Sequence, residues 1–421
     1  MLYRILIKNR KQIIEFILAN IFLLNISVAA ISNYSLNIFI IKMVSSAALL
    51  IIIVVDVKLN KFDIPGIVKM NNPKKMFMII GFFIGYLGIT LIYSDNPAYG
   101  AQKILNFISS TLPSVAAFYY LIVTVSKERF NVFIIALVII TLLTVSYIFI
   151  VYPFDPGTTY EYRAGRWSHV IFGRMIGSIA IVFLLYMSSR SNLKQILLYS
   201  VITSIAVYGL YLSSLRSAFL GLMLVALCLS IFLILKSVFL VRSSETKGQG
   251  SLSGVLSSME RKKQLSGLIL TTIITLLLII VIPKPEIIET RFDNLTQIED
   301  LEFGADEPIN TRIEALKISK KIFLEHPLFG VGFGGFRSYN EFTELVKYPH
   351  NIFVEMAVEG GVVGLLVLCA LCFIMFKSSY RFSPSSFIFL LFALFLAMFS
   401  KELSNQSLLW IGLAFYGVKR D

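Results

Sequence analysis

Apolar runs recur along this chain at a length that few folds can use. A helix needs roughly 20 predominantly apolar residues to cross a bilayer. Runs near that length occupy 13–31, 35–55, 76–93, 104–125, 131–152, 170–187, 196–213, 217–236, 265–283, 352–376, 384–400 and 404–417. They predict an all-α fold: a polytopic membrane helix bundle of about 12 transmembrane helices. Composition agrees, with 57% hydrophobic and 15% charged residues, against nearer 45–50% and about 25% in soluble domains. The first run follows MLYRILIKNRKQ, and Val28-Ala29-Ala30 resembles a signal-peptide cleavage site. A second apolar run follows at once, so an uncleaved first helix is expected.

The formal charge of +13 would suggest nucleic acid in a soluble protein. Here most Lys and Arg fall in alternate short loops, which orients a membrane protein instead. With the N-terminus cytoplasmic, SKERF, SSRSNLK, KSSYRFS and the tail VKRD all lie inside. An even helix count returns the C-terminus to the same side, so both termini are expected in the cytoplasm. The Ser/Gly/Lys-rich segment 243–264 reads as a flexible cytoplasmic linker. The hydropathy shows no matching halves, which argues against a two-repeat transporter. The expected organisation is a bundle over 1–283, an extracytoplasmic loop over 284–349 and a second stretch of bundle over 350–421.

That loop is far longer than the other connections, and long loops usually carry function. Within it, NTRIEALKISKKIFLEHPLFG places Ala315, Leu316, Ser319, Ile322 and Phe323 on one helical stripe. Arg312 falls on the same side, Thr311 or Asn310 is the expected cap, and Pro327 and Gly330 should stop the helix. The spacing predicts an amphipathic helix lying on the bundle or the bilayer surface. The following Gly330-Val331-Gly332-Phe333-Gly334-Gly335-Phe336 lacks the strand before and the helix after that a nucleotide fingerprint needs. Its glycines suit a turn that brings backbone close to a ligand or a neighbouring helix.

The loop ends at PHNIFVEMAVEGGVVG, residues 349–364. His350 and Asn351 stand at the boundary with an apolar run. Glu355 and Glu359, at i and i+4, share one helix face. A charge at the centre of a membrane helix costs roughly 2.5–3.5 kcal/mol, so a carboxylate pair here is either a polar interfacial cap or a site. Positive charges off the inner side are Arg216, Arg291, Arg312, and Arg163, Arg166 and Arg174 around one short outer loop. Each alone reads as a snorkelling residue. Together their forked guanidinium groups suit phosphate oxygens. Lys42 reads as a snorkeller, and His169 and His326 as structural. Cys369 and Cys372 are half of a zinc pattern with no second pair, so Cys228, Cys369 and Cys372 read as small core residues. No metal site and no cofactor are expected.

In order, SSLRSAFLG, ETRFDNL, NTRIEALKISKKIFLEHPLFGVGFGGF and PHNIFVEMAVEGGVVGLL resemble the superfamily of O-antigen ligases and Wzy-type polymerases. The most specific element is the His-Asn start with Gly361 eleven residues after His350. The resemblance implies en bloc transfer of a glycan from undecaprenyl diphosphate outside the cytoplasm, without metal or nucleotide sugar. It implies that Arg216, Arg291 and Arg312 hold the diphosphate. His350 is then the base for the acceptor hydroxyl, and Glu355 a second catalytic residue of less settled role. Asn351, Arg166, Arg174 and Glu359 are further candidates. The implied partners are the lipid-linked oligosaccharide, an acceptor glycan (a lipid-linked repeat or lipid A-core), membrane lipids and a chain-length regulator protein.

The chemistry stands beside the resemblance. Fixed Arg groups stabilise charge building on a departing diphosphate. A neutral imidazole, ordinarily of pKa about 6.5, accepts a proton at neutral pH. Direct displacement inverts the anomeric centre. Residues 284–351 hold eight Lys and Arg against twelve Asp and Glu, a formal charge of −4. That favours a neutral repeat unit over an anionic lipid A-core as acceptor, hence polymerase over ligase. A multipass transporter or flippase is the alternative of another class.

Overall fold

The computed structural model describes residues 36–60, 68–70, 73–124, 163–164, 167–188, 192–212, 215–245, 252–281, 307–339, 348–399 and 402–420, with isolated positions between 135 and 143. Expected spans 13–31 and 131–152 lie outside the described residues, apart from those positions. Helices dominate, and the strands are two short antiparallel pairs. The all-α expectation is met. Five helices among the described residues are long and apolar enough to cross a membrane: Pro73–Tyr93, Pro97–Val123, Leu193–Tyr211, Lys263–Val281 and Ile352–Phe382.

The chain forms two compact units, one from Met1–Ala136 with Gln297–Asp421 and one from Leu137–Thr296. In the first, α1 (Leu36–Asn60) and β1 (Val68–Met70) precede α2 (Pro73–Tyr93) and α3 (Pro97–Val123). Asn96 caps α3 by accepting the Tyr99 N–H, and Pro97 fills the first turn, where its missing N–H costs nothing. A π-turn at Phe107–Thr111 interrupts α3. The later part supplies α8 (Glu307–Glu325), α9 (Ile352–Phe382), α10 (Pro384–Ala397), the short α11 (Ser407–Trp410) and β4 (Val418–Arg420). Their core centres on Phe83, Phe107 and Trp410, whose ring centroids lie 5.1–6.0 Å apart. The indole N–H of Trp410 donates to Leu403 O at 2.9 Å.

β1 pairs with β4, Val68 opposite Arg420, beside the start of α2. At the other end of α2, Ser94 Oγ donates to Phe333 O and Asp95 N to Val331 O. The glycine-rich stretch therefore packs at the end of the unit remote from the β1–β4 pair.

The second unit contains β2 (Arg163–Ala164), β3 (Trp167–Ser168), α4 (His169–Ser188), α5 (Leu193–Leu212), α6 (Arg216–Glu245) and α7 (Leu252–Val281). Small residues join α5 to α7: Ser200 and Ser204 hydroxyls donate to Gly267 O and Thr271 O at 3.1 and 3.0 Å. A side chain at Gly267 would press on Ile196, so close approach there requires glycine.

Three expectations need correction. The segment 243–264 is not a linker throughout, because α6 runs to Glu245 and α7 starts at Leu252. Leu252, Val255, Leu256 and Met259 supply a helical apolar period that the intervening serines obscure. The run 404–417 is not one α-helix: α11 passes into a 3₁₀ segment at Ile411–Gly417. The loop helix begins at Glu307, so Thr311 lies inside it and does not cap it; Pro308 suits the first turn.

The expected stripe of that helix holds except at Leu316, which faces outward. Ala315, Ser319 and Ile322 are buried, Phe323 is half-buried, and Leu316 is exposed. α8 lies on the bundle, packing with Val331, Phe336 and Val358. It ends at Glu325, just before Pro327, as expected.

Candidate functional site

α9 opens where the sequence places its candidate site. Asn351 is extended, at φ −141°, and its Oδ1 accepts the N–H groups of Phe353 and Val354 at 2.9 and 3.3 Å. That is N-capping, which satisfies two of the helix's orphan donors. His350, just before the cap, has φ 59°. A non-glycine residue in the left-handed region is uncommon and marks a position fixed by its surroundings. Its ring lies 4.4 Å from that of Tyr348 and is half-buried.

Glu355 and Glu359 point away from solvent. Both are buried, and both meet Lys103 of α3. The ammonium lies 2.5 Å from Glu355 Oε1 and 2.7 Å from Glu359 Oε2. Glu355 Oε2 also accepts the Leu403 N–H at 2.8 Å. The Gly334 N–H donates to Glu359, and Lys103 lies 4.2 Å from the Phe333 ring centroid. Glu402 stands beside this group. It accepts from the Tyr99 hydroxyl at 2.8 Å, the Ser404 hydroxyl at 3.0 Å and the Asn405 amide at 2.6 Å. One ammonium and three carboxylates thus tie α3, α9, the glycine-rich stretch and residues 402–405 together. Removing either sign alone would leave an uncompensated buried charge.

Sequence reasoning missed Lys103, Tyr99 and Glu402. The signal was faint: Lys103 stands directly before the apolar run 104–125, where a lysine reads as an interfacial residue, and only the observed helix Pro97–Val123 brings it inside a span, where an ionisable residue calls for a partner. Which carboxylates answer it depends on a pairing more than 250 residues away in sequence.

The glycine-rich stretch is built into α9. Gly361 has φ 62° and breaks the helix. The Val362 and Val363 N–H groups donate to Pro327 O and Leu328 O at 2.8 and 3.3 Å, and Val358 O accepts the Val331 N–H at 3.0 Å. The loop thereby supplies the partners that the broken turn lacks, as backbone at membrane depth requires. The glycines serve approach to a neighbouring helix. Outside the spans, Tyr339 donates to Asp95 Oδ2 at 2.8 Å. Burial first, then that carboxylate, pushes its pKa up to about 12, so it stays a donor at neutral pH.

The arginines are distributed between the units. Arg312 is half-buried on α8 of the first unit. Arg216 is half-buried at the first residue of α6, and Arg174 is buried in α4, both in the second unit. Arg163 is described only as backbone, in β2. Arg166 and Arg291 lie outside the described residues. Among the described residues no group of three or more His, Cys, Asp or Glu is disposed to hold a metal.

No curated protein matches the chain. The model of the O-antigen ligase family matches residues 201–369, a stretch that includes Arg216, Arg291, Arg312, His350 and Glu355. Over that stretch the chain is similar to the O-antigen ligase family.

Proposed function

We propose that the protein transfers a glycan en bloc from undecaprenyl diphosphate to an acceptor sugar hydroxyl on the extracytoplasmic face of the bacterial inner membrane. One observation carries this reading. Within the stretch that matches the family model, His350 is held at φ 59° directly before the cap of α9. The His350 imidazole accepts the acceptor's proton as its oxygen attacks the anomeric carbon. The bond to the diphosphate breaks, and the anomeric centre inverts. Arg216, Arg291 and Arg312 neutralise the departing diphosphate; Arg166 and Arg174 are additional candidates for that role. Asn351 fixes the helix start. Glu355 and Glu359, buried against Lys103, act as positioning residues rather than on substrate.

The acceptor is a lipid-linked repeat, making the protein a polymerase, and a chain-length regulator is its expected partner. The formal charge of −4 over 284–351 supports this choice. The second reading is a ligase acting on lipid A-core, favoured by the description of the matching family as O-antigen ligase. Surface polysaccharide from a deletion strain separates them. Loss of a polymerase leaves core capped by a single repeat. Loss of a ligase leaves bare core and long chains on the carrier.

A further inference from the structure

We propose that the turn after α8 is a wedge set into the leaflet on the His350 side, its tip against phospholipid acyl chains. Leu324, Leu328 and Phe329 are 68%, 62% and 60% exposed. Three large apolar side chains so placed, Leu324 on the last turn of α8 and Leu328 and Phe329 on the turn after it, are unfavourable in water.

Their neighbours fix the level. Leu328 O accepts from Val363, eleven residues into α9. The Tyr93 hydroxyl, at the end of α2, donates to Phe329 O at 3.1 Å. Counted back from Lys377, where the inner basic loop begins, roughly 20 residues cross the hydrocarbon and start near Ala357. Val363, and with it the turn bonded to Tyr93, therefore lies at or just inside the boundary of the hydrocarbon. A tyrosine suits that boundary.

The exposed tip is continuous with surfaces that lipid must already cover. Ile89 and Ile92 on α2 and Leu366 on α9 are 63%, 85% and 64% exposed. Backbone geometry favours the depth, because Pro327 O, Leu328 O and the Val331 N–H are taken up by the broken turn of α9, Phe329 O by Tyr93 and the Gly330 N–H by His326 O. Lys320 and Lys321, exposed one turn before Leu324, stand where phospholipid phosphates would lie.

The test uses full-length protein with Cys228, Cys369 and Cys372 replaced by alanine. Single cysteines at Leu328, Phe329 or Ser338 carry an environment-sensitive fluorophore, and the protein is reconstituted in phosphatidylcholine–phosphatidylglycerol vesicles. Leu328→Cys and Phe329→Cys labels should be blue-shifted relative to Ser338→Cys. They should lose most of their emission to doxyl groups near the top of the acyl chain and little to iodide. The Ser338 label should behave in the opposite way. Quenching of the 328 and 329 labels by iodide alone would overturn the proposal in favour of water. Quenching by neither would overturn it in favour of a second protein copy. Repeating the measurement on His350→Ala protein keeps the result independent of transferase activity.

Discussion

At the scale of single residues, two kinds of constraint hold the candidate site, one of backbone and one of charge. Gly361 combines φ 62° with no room for a side chain, since an added Cβ would press on the Leu328 backbone. Gly81 and Gly85 in α2 face open space, with nothing within 4 Å of an added Cβ. Gly361→Ala should therefore abolish recovery of folded protein. Gly81→Ala and Gly85→Ala should leave it intact, or raise stability by up to about 1 kcal/mol. Monodispersity and thermal midpoints of the detergent-purified variants would check this. The charge constraint predicts a reversal. Lys103→Met should destabilise by roughly 3–5 kcal/mol, because buried carboxylates lose their cation. Adding Glu355→Gln and Glu359→Gln should recover most of that loss, and no recovery would refute the buried ion group as drawn. The carboxylate half of this group was legible as an i, i+4 pair. The cation was not, because nothing local to Lys103 says which helix it faces.

Elements were legible where one period dominates. α8 was readable because Ala315, Ser319 and Ile322 recur at helical spacing, and these residues are buried against α9. Its start was misplaced because Thr311 offers cap chemistry that the chain does not use. Residues 252–264 failed for the opposite reason: serine, glycine and lysine content outweighed a real apolar period. The break in α9 is written in Gly360-Gly361, but the segment that repairs it, 327–331, lies across a sequence gap that periodicity cannot bridge. If α8 and the turn after it are on the outer face, Ser338→Cys in a cysteine-free background should react with an impermeant maleimide in intact spheroplasts. Labelling only after lysis would reverse the orientation and remove the enzyme reading.

For the whole molecule, the pairing of β1 with β4 puts 68–70 and 418–420 at one end of the first unit, and His350 lies at the other. The loop charges predict that the tail VKRD and the 284–349 connection lie on opposite sides of the membrane. The central claim is that a chain of this construction transfers glycan by the chemistry of His350. Turnover of radiolabelled undecaprenyl-diphosphate oligosaccharide by purified, reconstituted protein tests it most directly, comparing wild type with His350→Ala. Wild type should lengthen the labelled glycan without added divalent ion and in the presence of EDTA. His350→Ala, equally folded and inserted, should lose activity by at least about 100-fold, the lower range of a general base's contribution. Near-normal transfer by His350→Ala, or label that only crosses the vesicle membrane unchanged, would contradict the claim.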